Sequence, residues 1–174
     1  MKLDTVPALD RPDLLAEPVA AALRSLGIRD AAVGEIDPEL ADTAAFCEAY
    51  ELPLETSANC VIVAGRRGGE VRYAACMVLA TTRADVNGVV RRRLDARKAS
   101  FAPMDDAVTL TSMEYGGITP IGLPPEWPVL VDSRVTEAGP VVIGSGLRRS
   151  KLVVSPGTLT ALPTAEVLDL ALVT

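Results

Sequence analysis

Two apolar runs joined by a short polar stretch limit most strongly what this chain can fold into. Residues 58–64 and 71–82 are rich in β-branched and other apolar side chains, whereas residues 65–70 read Gly-Arg-Arg-Gly-Gly-Glu. Apolar runs around a glycine-rich connection are typical of a β-hairpin. We therefore predict two long neighbouring antiparallel strands, around which the rest of the chain is arranged.

Helices are predicted on both sides of this hairpin. Apolar side chains recur at helical spacing over residues 10–27, 42–50, 85–99 and 104–112. Pro18 indicates a kink or a late start of the first helix, and Gly27 a natural end.

Glycine and proline divide the last third of the chain into short segments. Strands are predicted at residues 129–131, 141–143 and 152–154, besides an earlier one at 31–36, and helical or 3₁₀ structure at 158–162 and 165–172. Strands separated by both hairpins and helices indicate a mixed α/β fold in one compact domain. We expect residues 1–29 to form a helical segment packed on one globular unit, residues 30–174.

The absence of histidine restricts the chemistry of the chain. It removes Ser-His-Asp and Cys-His catalysis and most zinc sites, so any catalysis must use carboxylates, hydroxyls, backbone amides or the substrate itself. Cys47, Cys60 and Cys76 show no CxxC spacing and are expected to be buried thiols, with a catalytic or redox role as the alternative. No cofactor and no metal are expected.

The charge and hydropathy of the chain bear on its partners. A net charge of −6 and a pI near 4.7 argue against a protein that grips duplex DNA, whereas a local contact with RNA stays open. No apolar run approaches the roughly 18 residues that cross a membrane, and the first residues lack a signal-peptide pattern. We therefore expect a soluble cytoplasmic protein without membrane contact.

Residues 111–122 carry a motif: Thr-Ser-Met-Glu-Tyr-Gly-Gly-Ile-Thr-Pro-Ile-Gly. It resembles the loop of the YbaK/EbsC family of aminoacyl-tRNA editing domains, in which Gly-Gly-x-Ser/Thr-Pro-x-Gly follows a Thr-Gly pair. The Val-Asp strand end at residues 131–132 and the Gly-Ser-Gly turn at 144–146 follow in the family's order. The resemblance covers roughly residues 30 to 170.

Membership of that family would imply a mixed, largely antiparallel, barrel-like sheet flanked by helices. It would also imply a deacylase that hydrolyses the ester between an amino acid and the 3′ end of a tRNA, without a protein nucleophile. The expected partners are the acceptor end of an aminoacyl-tRNA and, as a further candidate, an aminoacyl-tRNA synthetase.

The loop suits ester hydrolysis, because glycines let backbone N–H groups approach a developing oxyanion. Gly116 and Gly117 are the predicted donors, and Glu114 would orient water or bind the substrate's amino group. The predicted substrate-binding residues lie in the loop and in the two later segments, and they are Thr119, Pro120, Asp132, Gly144, Ser145, Gly146 and Arg148. A capping role for Asp132 and a similar structural role for Ser145 are the alternatives. Trp127 is expected to anchor a proline-rich loop, with stacking on the terminal adenine as its alternative.

One position departs from the family. A lysine usually opens the strand that here begins at residue 58, and the matching residue is Asn59. An amide offers only neutral hydrogen bonds, so Asn59 is expected to weaken catalysis unless Arg148, Arg149 or Lys151 restores the charge.

Two other kinds of function therefore remain beside a free-standing trans-editing hydrolase. The first is a non-catalytic binder of an aminoacyl-tRNA end or an aminoacyl-adenosine-like ligand. The second is a hydrolase or sensor for another small ester or nucleotide, which the acidic pI would suit.

Overall fold

The computed structural model describes residues 1–173; Thr174, the last residue of the predicted globular unit, lies outside them. The strands are β1 (Val6–Pro7), β2 (Ala32–Glu35), β3 (Ala58–Arg67), β4 (Glu70–Leu79), β5 (Thr82–Ala84), β6 (Lys98–Phe101), β7 (Val129–Asp132), β8 (Val141–Gly144), β9 (Ser150–Val154), β10 (Ala165–Leu168) and β11 (Ala171–Val173). The α-helices are α1 (Glu17–Ser25), α2 (Thr43–Ala49), α3 (Arg91–Arg93), α4 (Met104–Thr111), α5 (Ser133–Thr136) and α6 (Pro156–Thr160). The other helical turns are Ala8–Asp10, Pro12–Leu14, Pro38–Leu40 and Leu54–Thr56, which are 3₁₀, and Val86–Val90, which is π-helical.

The predicted hairpin is confirmed and lies in the middle of the fold. Strands β3 and β4 pair along their whole length, from Ala58 with Leu79 to Arg67 with Glu70. The turn is therefore only Gly68 and Gly69, whose φ angles of 55° and 84° are the positive values that a tight hairpin turn requires. The second strand is shorter than predicted, because it ends at Leu79 and β5 starts separately at Thr82.

Three sheets surround this hairpin. The five-stranded sheet has the order β10-β7-β4-β3-β6, the four-stranded sheet β1-β2-β9-β8, and β11 pairs with β5. The pairs β4–β7 and β7–β10 are parallel, and the other named pairs are antiparallel. The predicted mixed, largely antiparallel α/β fold is confirmed, although the sheets do not close into a barrel.

The helix predicted over residues 85–99 is wrong in its second half. Asp85 does cap the start, since its carboxylate accepts hydrogen bonds from the N–H groups of Gly88 and Val89. The helical turns stop after α3, and Asp95 adopts a φ of 51° that reverses the chain. Residues Lys98–Phe101 then form β6, because the free edge of β3 offers them a strand partner, which outweighs their helical periodicity.

The helical interpretation of residues 165–172 is also wrong. Residues Ala165–Leu168 pair with β7, and residues Ala171–Val173 pair with β5. The segment runs along two sheet edges, and pairing across the fold again decides its structure. By contrast, α2 and α4 lie within the predicted 42–50 and 104–112, and α6 overlaps 158–162.

The N-terminal helix packs onto the main core. Helix α1 starts late, with Pro18 in its first turn, as the sequence indicated. Its Val19 and Leu23 are fully buried in the same apolar cluster as Ile143 and Leu152. Within residues 1–173, no helix is long and apolar enough to cross a membrane.

Candidate functional site

A cavity of about 470 Å³ opens beside the start of β3. Its walls come from four parts of the fold, namely the start of α2, the strands β3, β8 and β9, the end of β6, and α4 with the loop after it. The lining residues include Asp42, Thr43, Phe46, Asn59, Cys60, Phe101, Tyr115, Gly116, Gly144 and Lys151. Of the predicted site residues, Asn59, Gly116 and Gly144 thus lie around one cavity.

The motif loop is fastened to the Gly-Ser-Gly turn through backbone atoms. The Gly146 N–H donates to the Gly117 carbonyl (2.6 Å), and the Glu114 N–H donates to the Gly146 carbonyl (2.8 Å). A Cβ atom on Gly117 would lie 2.7 Å from the Leu147 carbonyl carbon, and one on Gly144 would lie 2.4 Å from the Gly117 oxygen. Only glycine fits at both positions, because the two backbones touch.

The two predicted oxyanion donors differ in this arrangement. The Gly117 N–H already donates to the Glu114 carbonyl at 2.9 Å. Gly116 lines the cavity, has a φ of 86°, and its N–H has no hydrogen-bond partner within residues 1–173. The geometry therefore favours Gly116 as the donor and gives Gly117 a role in loop packing.

Glu114 and Arg148 hold this loop from the other side. The Glu114 carboxylate accepts a hydrogen bond from the Arg148 backbone N–H at 2.7 Å. The Arg148 guanidinium donates to the carbonyls of Tyr115 and Pro38, each at 3.1 Å. Both side chains connect the loop to neighbouring backbone, so each has a positioning role, whatever its contact with a ligand.

Asn59 is tied to the start of α2. Its Oδ1 accepts a hydrogen bond from the Thr43 hydroxyl at 2.7 Å, and Asp42 caps the helix by accepting from the Ala44 N–H. The Asn59 amide nitrogen donates to no atom within residues 1–173. Asn59 therefore brings a neutral donor to the cavity.

Lys151 supplies the cavity with a cation from another strand. The side chain is on β9, and the residue is only 7% exposed. Its Nζ donates to the Ala41 carbonyl at 2.9 Å and lies 5.3 Å from the centre of the Phe46 ring. Within residues 1–173 this is its one hydrogen bond, and no carboxylate pairs with it.

The environment of Lys151 disfavours its charge. Burial lowers the pKa of Lys151, while the nearby Cys47 and Asp42 act in the opposite direction. An ammonium group can donate three hydrogen bonds, so two remain for a ligand. The sequence named Lys151 as one of three cations, with Arg148 and Arg149, that would restore the charge missing at Asn59. Its position directly before the apolar residues 152–154 was the signal of its burial.

Four other predicted residues do not line the cavity. The buried Asp132 caps α5 through the Arg134 N–H and also accepts from the N–H groups of Leu170 and Ala171, at 3.0 to 3.2 Å. The hydroxyl groups of Ser145 and Ser150 form a hydrogen bond of 2.6 Å. Thr119 and Pro120 are buried, and the Thr119 hydroxyl lacks a partner within residues 1–173.

Gly146 and Trp127 also have packing roles. A Cβ atom on Gly146 would lie 2.3 Å from that of Ala16, so this turn sits directly against the chain before α1. Trp127 is buried and stacks on Tyr73 with ring centres 5.1 Å apart, outside the cavity lining. It anchors its loop, the first of the two roles that the sequence left open.

All three cysteines are free; Cys47 and Cys76 are buried as expected, whereas Cys60 is only partly buried because its strand borders the cavity. Cys60 lines the cavity, and burial, with a smaller contribution from Cys76, raises its pKa. Burial raises the pKa of Cys76 to about 12. Both thiols are therefore protonated at neutral pH and are poor nucleophiles.

The comparisons with known proteins agree with this architecture. A crystal structure described as "a putative trans-editing enzyme for prolyl tRNA synthetase" has a TM-score of 0.76 and 22% identity, covering 89% of this chain and 95% of that one. The crystal structure of a hypothetical protein gives 0.77 and 21%, covering 90% and 100%. These similarities show the fold, and no curated protein is significantly similar in sequence.

The family comparison covers most of the cavity. The aminoacyl-tRNA editing domain matches residues 37–162, which include α2, the hairpin, the motif loop and β9 with Lys151. The chain therefore belongs to the YbaK-like aminoacyl-tRNA editing domain family.

Proposed function

We propose that this protein is a free-standing trans-editing hydrolase that removes the amino acid from misacylated tRNA. The observation that carries the proposal is the single cavity that joins the glycine loop, Asn59 and the buried ammonium group of Lys151. Family membership and the named structural neighbour support the same class of substrate.

The proposed mechanism uses fixed donors and no protein nucleophile. The ester carbonyl lies against the Gly116 N–H, which stabilises the oxyanion that forms when the carbonyl is attacked. Lys151 places its positive charge beside the same intermediate, and Asn59 donates its amide hydrogens. Water, oriented by a hydroxyl group of the substrate, attacks the carbonyl carbon and gives up a proton. The ester C–O bond then breaks, the amino acid leaves with a free carboxyl group, and the leaving ribose oxygen takes up the proton that the water gave up.

A second candidate function is binding without turnover, and Asn59 in place of the family lysine motivates it. In that case the cavity holds the aminoacyl end of a tRNA, or a related aminoacyl-adenosine, and leaves the ester intact. The uncommitted Gly116 N–H and the buried Lys151 favour the hydrolase, because a binder has no need to concentrate donors beside the carbonyl.

The test is deacylation of a panel of mischarged tRNAs by the purified protein. We expect at least one mischarged tRNA to lose its amino acid well above the uncatalysed rate. Retention of a charged tRNA on the protein without loss of the ester would instead establish the binder, and neither binding nor hydrolysis of any charged tRNA would refute both functions.

Glu114 offers a test of how the loop is held. The Glu114→Ala variant is expected to lower kcat/KM about tenfold, because the Arg148 N–H loses its acceptor and the loop loosens. Glu114→Gln keeps an acceptor oxygen and is expected to stay within about twofold of the wild type. The measurement is single-turnover deacylation. Equal losses in both variants would mean that the negative charge matters, as in binding of the substrate's amino group.

Cys60 offers a test of the nucleophile. Because burial raises its thiol pKa, Cys60→Ala is expected to keep deacylation within about threefold of the wild type. The native protein should also react slowly with iodoacetamide at pH 7.5, as followed by mass spectrometry. Loss of all activity in a folded Cys60→Ala variant, together with fast alkylation, would make the thiol the nucleophile.

A further inference from the structure

The two exposed aromatic rings of this chain both lie at the mouth of the same cavity. The sequence contains one tryptophan, three tyrosines and two phenylalanines. Phe46, Tyr50 and Trp127 are buried, and Tyr73 packs against Trp127. Phe101 is 60% exposed and Tyr115 is 53% exposed, and both line the cavity that also contains Lys151.

The two rings come from separate elements that both line the cavity. Phe101 ends β6, an edge strand of the five-stranded sheet, and its neighbour Ala102 donates a backbone hydrogen bond to Ile62. Tyr115 precedes Gly116, and Arg148 holds its carbonyl at 3.1 Å. Both residues thus have a fixed backbone and a ring in contact with solvent. We call Phe101 and Tyr115 the aromatic rim.

We propose that the aromatic rim is a nucleobase platform, on which the unpaired bases at the 3′ end of the tRNA stack while the aminoacyl ester occupies the cavity. This inference rests on the proposed function. In the substrate, the ester is joined to a ribose and the ribose to adenine, so a cavity that holds the ester places the base within one sugar of its mouth. Exposed aromatic rings are the usual surface for unpaired bases.

The charge of the protein fits a platform of this kind. A chain with a net charge of −6 gains little affinity for RNA from a general basic surface. Stacking needs no charge, and one cation lies directly at the rim, because the Arg148 guanidinium contacts the Tyr115 carbonyl. Two further exposed cations, Lys98 and Arg66, form a cross-strand pair at the other end of β6, three residues or about 10 Å along the strand from Phe101. That spacing suits phosphates further along a single strand whose bases stack on the rim.

The experiment uses a short RNA hairpin with a single-stranded 3′ end. Its terminal adenine is replaced by 2-aminopurine, and it carries an amide-linked amino acid that cannot be hydrolysed. Stacking quenches 2-aminopurine, so binding to the wild-type protein is expected to lower its fluorescence. Phe101→Ala and Tyr115→Ala are each expected to weaken binding about tenfold and to reduce the quenching, whereas Tyr115→Phe keeps both.

Val167→Ala is the matched control. Val167 is 49% exposed on β10, and β10 and β6 are the two opposite edges of the same sheet. The Val167→Ala substitution therefore removes exposed apolar surface at the edge that does not carry Phe101. Its Kd and quenching are expected to equal those of the wild type. Thermal melting of all variants establishes that they are folded.

The outcomes separate this inference from the proposed hydrolase. Rim variants that are folded and bind the hairpin as tightly as the wild type, with equal quenching, overturn the platform even if the wild type deacylates tRNA. Quenching that depends on the rim supports the platform even if no tRNA is deacylated. Once a charged tRNA that the wild-type protein deacylates is known, kcat/KM can be compared between two substrates. The loss of kcat/KM in the rim variants should be about tenfold larger for that charged tRNA than for an amino acid methyl ester, which has no base to stack.

Discussion

Replacing Lys151 with methionine is expected to lower the rate of tRNA deacylation by about 100-fold while leaving the protein folded. Loss of one preorganised donor to an oxyanion costs on the order of 10²–10³ in kcat. Lys151 is the buried cation of the cavity, and its Nζ has two donor positions that Ala41 does not occupy. Single-turnover deacylation with saturating protein measures the chemical step, and KM is expected to change less than kcat.

The same variant is expected to be at least as stable as the wild type. A buried ammonium group without a carboxylate partner is costly, and methionine has similar length and no charge. We expect the free energy of unfolding to stay unchanged or to rise by about 1 kcal/mol, as measured by urea denaturation. Full activity in Lys151→Met would show that the ammonium group has no part in the reaction. Failure of the variant to fold would show that the ammonium group serves the structure.

The pH dependence gives an independent readout of this lysine. Because burial lowers its pKa, the ammonium form disappears at a lower pH than for an ordinary lysine. The ratio of wild-type to Lys151→Met rates is therefore expected to fall towards one as the pH rises through that lowered pKa. In the same range the unfolded chain still binds the proton, so the wild-type free energy of unfolding should increase with pH.

Exchange of the lysine between strands tests whether the ammonium group or its position matters. Asn59 and Lys151 line one cavity, so Asn59→Lys alone places a second cation beside the first. Like charges repel, and we expect this single variant to lower the Lys151 pKa further and to raise activity little. The double variant Asn59→Lys, Lys151→Met is expected to recover much of the activity lost with Lys151→Met. If the double variant does not recover deacylation activity, the ammonium group must extend from β9, at position 151, to act in the reaction.

The sequence predicted those parts of the fold that local chemistry determines. The hairpin has its glycine turn, α2 has Asp42 as its cap, and α4 follows Pro103. The first half of β6, residues 98 and 99, and all of Ala165–Leu168 were predicted as helix, because their pairing partners, β3 and β7, lie far away in sequence. Periodicity cannot show a free strand edge, so these errors come from tertiary pairing.

The candidate site likewise contains residues that the sequence identified and residues that only the fold brings together. The motif loop, Asn59 and the Gly144 turn were identified through the resemblance to the editing family, and the fold places Asn59, Gly116 and Gly144 around one cavity. Lys151 was not assigned to the cavity, because its meeting with Asn59 depends on how the β9 sheet packs beside β3. Asp132 looked like a site residue, since a buried carboxylate at a strand end suits both a ligand and a helix cap.

The second large effect is expected from the contact between the two glycine segments. In Gly117→Ala the new methyl group would lie 2.7 Å from the Leu147 carbonyl carbon and oxygen, closer than atoms approach without movement. These are backbone atoms, so the loop itself must shift, and we expect a loss of about 1–3 kcal/mol in the free energy of unfolding. Displacement of a donor by about 1 Å can cost 10²-fold in rate, so deacylation is expected to fall by about that factor.

Gly157→Ala is the matched control for this prediction. Gly157 lies in α6, and the nearest atom to an added Cβ is the Ser155 hydroxyl at 3.9 Å. Alanine there is expected to stabilise the helix by about 0.5–1 kcal/mol and to leave deacylation unchanged. Gly144→Ala approaches the same contact from β8, with its methyl 2.4 Å from the Gly117 oxygen, and should resemble Gly117→Ala in both measurements. If Gly117→Ala and Gly144→Ala both matched Gly157→Ala, the close backbone contact would have no part in holding Gly116 at the cavity, and the oxyanion role of the loop would lose its structural basis.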